Sequence, residues 1–414
     1  MIDLTIFRCR FCNNKLTHTV MDLGTSPVAN NLVKPEEVSL AEPFYILKVF
    51  VCEKCWLVQA PNLHAQDEIF TNEYTYFSSY SSSWLKHASE YVSMMVKRFG
   101  LSSSSQVIEL ASNDGYLLQY FKEKGINVLG VDPCKNVAAV AIEKGIPTIT
   151  QFFGTKLASQ MVNNGQTADL IVATNVIAHV PDINDFVRGM KTILKPGGVF
   201  TCEVAHLLKL MKYNQFDTVY HEHYSYYSFI ALKTIFEYHG FVLFDVEELK
   251  THGGSLRIFG KHSENREIAV SGNVEDLLNK ENEMGLGTLK AYDDFQERVR
   301  KVKRDTLKFL IAEKEKGKTI VGYGAPAKGI TFVNYCGIKT DFLDYTVDAS
   351  PHKQDRFLPG VRIPIYAPEK IAETKPDYVM ILPWNLRQEI SEKMSSIREW
   401  GGKFVTAIPS VEVF

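Results

Sequence analysis

The sequence predicts an α/β chain in three parts: a small four-cysteine module, a doubly wound unit with a parallel sheet, and a second α/β unit at the C-terminal end. Three observations carry this. Two Cys-x-x-Cys pairs stand near the start, Cys9/Cys12 and Cys52/Cys55. From Gln106 short apolar runs alternate with helical stretches, which implies βαβ crossovers and a parallel sheet. The same alternation restarts at Thr319. A length of 414 residues exceeds one ordinary core and suits two or three domains.

Residues 1–70 are punctuated by Cys, Pro and Asn around short apolar stretches such as 44–51, and read as an irregular or β-rich module. A segment rich in aromatics and serines covers 70–84, and a helix is predicted over 83–99. In the middle unit, 71–265, strands are expected at 106–110, 127–131, 169–174 and 199–204, with helices at 115–124, 135–144 and 183–194 between them. Leu194-Lys-Pro-Gly-Gly198 reads as a turn, and 242–247 and 255–260 as two further strands. Residues 266–317, charged and without proline from 274 on, form a helical connector. The last unit, 318–414, holds strands at 319–323, 342–347, 378–382 and 403–406, a helix from Pro326 and another over 386–397.

Composition narrows the class. With 45% apolar and 23% charged residues the chain is an ordinary globular protein. A formal charge of −2 gives no whole-chain attraction to nucleic acid or to an anionic membrane, and neither is expected as a partner. The first ten residues lack a basic stretch followed by an apolar run, so no secretory leader is expected. No window approaches the roughly 18 apolar residues of a membrane span. Seven cysteines, four of them in two close pairs, suit a reducing cytoplasm and a metal site better than a disulfide framework. The expected location is cytoplasmic.

Cys9, Cys12, Cys52 and Cys55 form the sharpest motif. Zinc takes four soft ligands in a tetrahedron, and each Cys-x-x-Cys loop presents two thiolates to one ion. The 39 residues between the pairs can fold out as a loop or hairpin. A closed four-thiolate site leaves no open coordination position, so the metal is expected to be structural, and so small a module draws folding energy from it. A redox pair would sit at a helix start in a βαβ context, which is absent here. Zinc modules also bind nucleic acid, but this one has few clustered Lys or Arg. Cys134, Cys202 and Cys336 are expected as buried thiols.

Val107-Ile-Glu-Leu-Ala-Ser-Asn-Asp-Gly115 reads as strand, loop and helix start, and Gly130-Val-Asp132 ends the next strand. An acidic residue about 20 positions past such a loop can bind both hydroxyls of an adenosine ribose. That fits a nicotinamide dinucleotide or S-adenosylmethionine. A dinucleotide needs G-x-G-x-x-G so that backbone can approach a pyrophosphate. This loop has one glycine and two acids, Glu109 and Asp114, which repel a pyrophosphate and suit a cation with a free amino group and a sulfonium. A strand then runs through Asp169-Leu-Ile-Val-Ala-Thr-Asn-Val-Ile-Ala-His179 into a loop. In this order the segments resemble the class I methyltransferase fold, a Rossmann-like sheet. The resemblance implies Asp132 at the ribose, Glu109, Ser112, Asn113, Asp114 and Gly115 around the methionine part, and Asn175 beside the cofactor. A plain turn is the competing role for Asn175.

Methylation of an amine or hydroxyl needs little beyond alignment, whereas methylation of carbon needs a carbanion equivalent. An enolate beside a ketone supplies one, given a base and a group that stabilises the oxyanion. Tyr220-His-Glu-His-Tyr-Ser-Tyr-Tyr227 concentrates such side chains, and histidine titrates near neutral pH. The Cys-x-x-Cys pairs, Tyr74-Thr-Tyr-Phe-Ser-Ser-Tyr80, Glu109-Leu-Ala-Ser-Asn-Asp-Gly115, Asn175-Val-Ile-Ala-His179, Tyr220-x-Glu222-His223 and Gly322-Tyr-Gly-Ala-Pro-Ala-Lys-Gly329 follow one another as in a known family. Over essentially its whole length the chain resembles the zinc-containing sugar C-methyltransferases that act on nucleotide-linked 4-keto-deoxysugars, including the C-3 methylating type.

That resemblance implies His223 as the general base, with Glu222 orienting it or binding sugar hydroxyls. It places Tyr220, His179 and Tyr74 around the pocket as donors to the enolate oxygen, with Tyr76 the neighbouring alternative to Tyr74. A loop histidine at 179 and an aromatic core stripe at 74 and 76 are the competing roles. The expected acceptor is a keto-sugar on a nucleoside diphosphate, deoxythymidine diphosphate being the expected nucleotide, and a monomer is expected. In the last unit, one Gly-x-Gly with Asp348 closing the next strand suggests a dinucleotide site, but Lys328 replaces the third small residue. A helix N-terminus beside Lys328 can instead hold a diphosphate, which the resemblance favours, with Lys353 a second candidate and a solvated lysine the alternative. A zinc-ribbon nucleic-acid methyltransferase would carry Asn/Asp-Pro-Pro-aromatic after the fourth strand, where this chain has Asn175-Val-Ile-Ala.

Overall fold

The computed structural model describes residues 7–63, 74 and 76–414. The boundary set at 70/71, the start of the aromatic- and serine-rich segment and Thr75 lie outside the described residues. Among those described, no helix is long and apolar enough to cross a membrane.

The N-terminal module is built on β1 (His18–Ser26), β2 (Tyr45–Val51) and β3 (Val58–Gln59), antiparallel throughout. Strand alternation buries Val49 and Val51 on its core side. Next comes α1 (Ser82–Phe99), started by Ser81, whose side chain accepts from the Trp84 backbone N–H at 3.2 Å, and ended by Gly100 at φ 60°. The middle unit continues through β4 (Gln106–Leu110), α2 (Leu118–Glu123), β5 (Asn127–Val131), α3 (Lys135–Glu143), β6 (Thr148–Ile149), α4 (Thr155–Asn163), β7 (Ala168–Thr174), α5 (Ile183–Ile193), β8 (Leu194–Ala205), α6 (Leu207–Lys212), β9 (Ser225–Tyr226), α7 (Phe229–Tyr238), β10 (Phe241–Leu249) and β11 (Ser255–His262).

Seven of these strands form one sheet in the order β10-β11-β8-β7-β4-β5-β6, parallel from β8 to β6, with β11 and β10 antiparallel at one edge. The chain runs outward from β4 to β6 and then returns to β7 on the other side of β4. Ligands of such sheets bind in the crevice at the strand ends where the winding reverses. This is the Rossmann-like architecture of class I methyltransferases.

β9 does not join that sheet. It pairs with β3, so four strands in the order β1-β2-β3-β9 tie the segment after His223 to the N-terminal module. α8 (Gly272–Glu283) and α9 (Phe295–Glu315) then pack on α7, β10 and β1. Glu281 in α8 is fully buried, accepts from His206 at 2.7 Å and caps α7 through the backbone N–H groups of Phe229 and Ile230.

The last unit holds β12 (Ile320–Tyr323), α10 (Ala327–Cys336), β13 (Thr346–Val347), β14 (Ile365–Tyr366), α11 (Lys370–Thr374), β15 (Tyr378–Ile381), α12 (Arg387–Lys393), β16 (Lys403–Thr406) and β17 (Glu412–Val413). Its six-stranded sheet runs β14-β13-β12-β15-β16-β17, parallel except for β17. Val33 of the N-terminal module and Phe357 exchange backbone hydrogen bonds of 3.0 and 2.9 Å, which ties the first unit to the last.

Local expectations fail in four places. The expected turn at 194–198 lies inside the 12-residue β8, because a register shift after Ala168 absorbs the extra residues and Gly198 lies where a Cβ would meet the Ala168 carbonyl at 2.9 Å. The helix expected from 115 begins at Leu118, since Gly115 takes φ +75°. The strand expected at 342–347 shortens to β13 (Thr346–Val347). The helix expected over 386–397 divides into α12 and a 3-10 stretch, Ser395–Trp400.

Candidate active site

A cavity of about 400 Å³ opens at the C-terminal ends of β4, β5, β7 and β8, and all three units contribute to its wall. Asn113, Asp132, Asn175, Tyr74, Tyr76, His179, Tyr220, Glu222, His223, Lys328 and Lys353 line it together. Sequence positions from 74 to 353 thus converge on one site. Cys134, Cys202 and Cys336 are buried thiols, as expected.

The β4 end shapes one half. Asp132 is held by the backbone N–H groups of Asn113 and Cys134, each at 2.9 Å, while burial pushes its pKa up to about 6. Ala111, Asn113 and Asn175 adopt φ of 59°, 49° and 55°, left-handed backbone at the strand ends. Asn175 therefore combines a turn conformation with a place in the cavity wall. Ser112, Asp114 and Gly115 build the loop from behind. Ser112 packs on Gly130, where a Cβ would stand 2.4 Å from its hydroxyl, and Gly115 packs on Ile146. Asp114 accepts from the Ser79 N–H at 3.2 Å and pairs with Lys144 at 3.9 Å. Asn113 grips the same strap, accepting from the Ser78 N–H at 2.9 Å and donating to the Tyr76 carbonyl at 3.1 Å.

Glu109 tests the cofactor assignment. Its side chain is fully buried, with the Tyr116 hydroxyl beside its carboxyl group and no cation to offset its charge among the groups that shift it. Burial, with Asp132 and Asp114 nearby, pushes its pKa well above the usual carboxylate range. Such a carboxyl is costly to ionise unless a cation stands beside it. Glu109 lies behind the wall of the cavity, where the amino group or sulfonium of S-adenosylmethionine would supply that charge, and Asp132, which lines the cavity, would accept from its ribose, so the residues present fit the cofactor. In the protein without cofactor, stability associated with Glu109 is full below the free-carboxyl pKa and falls as pH rises toward the elevated folded value. Glu109→Gln is therefore expected to raise the cofactor-free Tm at pH 8 while weakening S-adenosylmethionine binding about tenfold or more, measured by thermal shift and calorimetry. An unchanged Tm and affinity would contradict this role.

The other half is the segment around His223. Its Nδ1 lies 2.8 Å from the Thr218 carbonyl, which can only accept, so Nδ1 carries the proton. Nε2 is then the lone-pair nitrogen, and the Tyr220 hydroxyl donates to it at 2.8 Å. Burial and neighbouring His179 hold the His223 pKa well below its ordinary value. His179 packs edge-on to His223 at 4.6 Å and directs Nδ1 to the Glu222 carbonyl at 2.9 Å, and burial lowers its pKa to about 4. The Glu222 carboxylate is 1% exposed and accepts from Asn30 at 2.8 and 2.7 Å, and burial raises its pKa to about 7. Burial and, after it, the neighbouring Glu222 push the Tyr74 pKa well above its ordinary value, whereas Tyr76 is 45% exposed and has Asp114 as its charged neighbour.

The segment is held from two sides. The Ala60 N–H donates to the Tyr224 carbonyl at 3.0 Å, and the Tyr224 N–H donates to the Ala178 carbonyl at 2.8 Å. Arg10 reaches the carbonyls of Ala60 and Pro181 with its guanidinium over the Tyr224 ring. Cys9, Cys12, Cys52 and Cys55 place their sulfurs within 4.8 Å of one another, three pairs lying at 3.5, 3.5 and 3.6 Å. A zinc tetrahedron with bonds near 2.3 Å needs edges of about 3.8 Å. The four thiols fit structural zinc, and Gln59 of β3 donates to Cys9 Sγ at 3.2 Å.

Toward the last unit, Lys328 donates to Asn385 at 2.7 Å with its ammonium over the Trp384 ring at 4.9 Å. Burial lowers its pKa. Lys353 donates to the Ala325 carbonyl at 2.9 Å and stands 3.8 Å from Asp348. Asp348 also accepts from the Ala325 N–H at 2.8 Å. The carboxylate that a dinucleotide ribose would use is thus taken up by the loop itself.

Sequence reasoning missed Asn30, Thr218 and His252. Asn30 looks like a turn residue in Pro27-Val-Ala-Asn-Asn-Leu32, and Thr218 acts through its carbonyl, which no residue type announces. His252 lines the cavity with φ 52°, edge-on to Trp84 at 4.9 Å, and only the two following glycines hint at unusual backbone there.

The family model for a zinc binding domain matches residues 9–70, that for a methyltransferase domain 84–246, and that for a C-methyltransferase C-terminal domain 250–409. C-methyltransferase NovU of Streptomyces niveus is 36% identical over 99% of this chain and 97% of its own length. A ubiquinone biosynthesis O-methyltransferase of Bartonella tribocorum is 26% identical over 23% of this chain and 38% of its own length. The crystal structure of magnesium protoporphyrin IX methyltransferase from Synechocystis with bound S-adenosylmethionine superposes with a TM-score of 0.34 at 15% identity, over 43% of this chain and 79% of that one. With its three units and its whole length matched, the chain belongs to the C-methyltransferase family that includes NovU, as an S-adenosylmethionine-dependent enzyme with a four-cysteine zinc module.

Proposed function

We propose that the enzyme methylates a carbon next to the ketone of a 4-keto-deoxysugar carried on a nucleoside diphosphate, deoxythymidine diphosphate being the expected carrier. One observation carries this reading: the Tyr220–His223 pair, His179 and Glu222 share a single cavity with Asp132 and Asn175. Bound there, S-adenosylmethionine supplies a methyl group made electrophilic by its sulfonium.

The protein's part is proton and charge management. His223 Nε2 takes the proton from the carbon beside the carbonyl, and the C–H electron pair passes into the enolate. In the free site the Tyr220 O–H occupies that lone pair at 2.8 Å. A substrate carbonyl competes for the same donor. As the O–H turns to the developing oxyanion, it uncovers the base it had capped. Tyr74 faces the same region as a further donor, whereas His179, expected as a donor, spends its Nδ1–H on the Glu222 carbonyl and as a neutral ring has no second N–H for the enolate oxygen; Glu222 accepts from sugar hydroxyls. Lys328 and Lys353, on the wall from the last unit, suit the diphosphate. Each must exchange a present partner, Asn385 or Ala325, for a phosphate oxygen.

The test is incubation of the zinc-loaded enzyme with methyl-labelled cofactor and a panel of nucleoside-diphosphate 4-keto-deoxysugars, with the product read by mass spectrometry and carbon NMR. The expected result is label on a ring carbon adjacent to the ketone. Label on oxygen, or transfer to nucleic acid instead, would overturn the reading.

A further inference from the structure

The N-terminal module contributes more than zinc ligands to this site. Asn30 lies 192 positions before Glu222 in the chain, yet its Nδ2 donates to both oxygens of that carboxylate, at 2.8 and 2.7 Å, and its side chain lines the cavity. The loop that carries it is fixed at both ends. Ser26, the last residue of β1, pairs with Tyr45, and Val33 is bridged to Phe357 of the last unit. Ala29 and Leu32 on either side are buried. Asn30 therefore sits where the first unit, the middle unit and the last unit meet.

We propose that Asn30 is a positioning residue for the methyl-transfer reaction: its amide fixes the plane of the Glu222 carboxylate toward the substrate and favours its ionised form. This rests on the reading of Glu222 as a substrate-binding carboxylate. The residue type suits the task. An amide nitrogen brings two hydrogens and no charge, so it can satisfy one lone pair on each oxygen and leave the others for sugar hydroxyls. A lysine or arginine there would bind the carboxylate as an ion pair and compete with substrate. Other groups that face Glu222 are the phenols of Tyr74 and Tyr220, the Cys134 thiol and the Lys353 ammonium, with His179 on its backbone carbonyl. Among them only Lys353 is cationic, and the Asn30 backbone N–H also donates, so removal of the Asn30 side-chain donors leaves the carboxylate with weaker support. Its pKa then rises, and the pH at which it becomes ionised moves upward.

The experiment is a double-mutant cycle on the zinc-loaded enzyme, with kcat and kcat/KM followed from pH 6 to 10 for Asn30→Leu, Glu222→Gln and the pair. Asn30→Leu is expected to move the acidic limb of kcat upward by about one unit or more, a loss of about tenfold at pH 7 that is recovered toward pH 9.5. Cofactor affinity should stay unchanged. In the Glu222→Gln background the same substitution should change nothing further. Asn30→Asp, nearly the same shape, places a second carboxylate there and should also move the limb upward, which covers the case in which the leucine variant does not fold. A uniform loss at every pH, or a full additional loss on top of Glu222→Gln, would overturn the proposal. If Glu222→Gln alone left the kinetics untouched, the underlying reading of Glu222 would fall instead.

Discussion

Replacing His223 by asparagine is expected to lower kcat for methyl transfer by about 10³-fold or more, the scale of a lost general base. S-adenosylmethionine affinity should remain within about threefold of the parent, because Asp132 and the loop after β4 stand apart from this substitution. The reasoning is geometric. The Thr218 carbonyl fixes the tautomer at 2.8 Å, and this leaves Nε2 as the lone-pair nitrogen. Asparagine can keep a donor near Thr218 but has no comparable base. Tyr220→Phe should behave differently. It removes an oxyanion donor but also uncaps Nε2, so its loss in kcat should be the smaller of the two. Burial keeps His223 neutral well below its ordinary pKa, so an acidic limb near pH 7 in the parent enzyme belongs to Glu222, with a value of about 7. Glu222→Gln should remove that limb. Single-turnover methyl transfer and calorimetry of the cofactor check both statements.

Zinc removal has the second large effect, and it reaches beyond the N-terminal module. Structural zinc contributes an apparent 10–16 kcal/mol, roughly, to modules of this kind at neutral pH. Loss of the ion should unfold the two Cys-x-x-Cys loops and release β3, which is the partner of β9. The strand that follows Glu222 and His223 then loses its hydrogen bonds at Val58 and Gln59, and Arg10 loses its hold near Tyr224. Chelation, or Cys52→Ser, should therefore abolish turnover together with amide-exchange protection at Ser225 and Tyr226. Protection at β4 and β5 should persist, because those strands belong to the other sheet. A zinc-free protein that keeps full activity and protection at Ser225 would contradict this coupling.

Much of this was legible in the sequence, and the division has a physical basis. Strands β4, β5 and β16 are short stretches with adjacent apolar residues at their centres, and their predicted limits match the observed ones. Four cysteines at fixed spacing announce a metal because ligand chemistry is local. Part of the proposed proton-handling cluster was legible because Tyr220, Glu222 and His223 adjoin in sequence and line one cavity. What stayed hidden depends on distant pairing. β9 is a two-residue strand whose partner lies more than 160 positions away, and no periodicity marks it. Asn30 acquires its role only from a carboxylate in another unit. The turn expected at 194–198 failed because Leu194 finds a ladder partner in Ala168, a tertiary gain that outweighs the local preference of Pro-Gly-Gly.

Proton exchange isolates the central step from methyl transfer. The enzyme, loaded with S-adenosylhomocysteine and held in deuterium oxide with the keto-sugar nucleotide, should wash one solvent deuteron into the carbon beside the ketone, seen by NMR of recovered substrate. The His223→Asn enzyme should leave that position protonated. Equal exchange by both proteins would assign the base to another group and contradict the account.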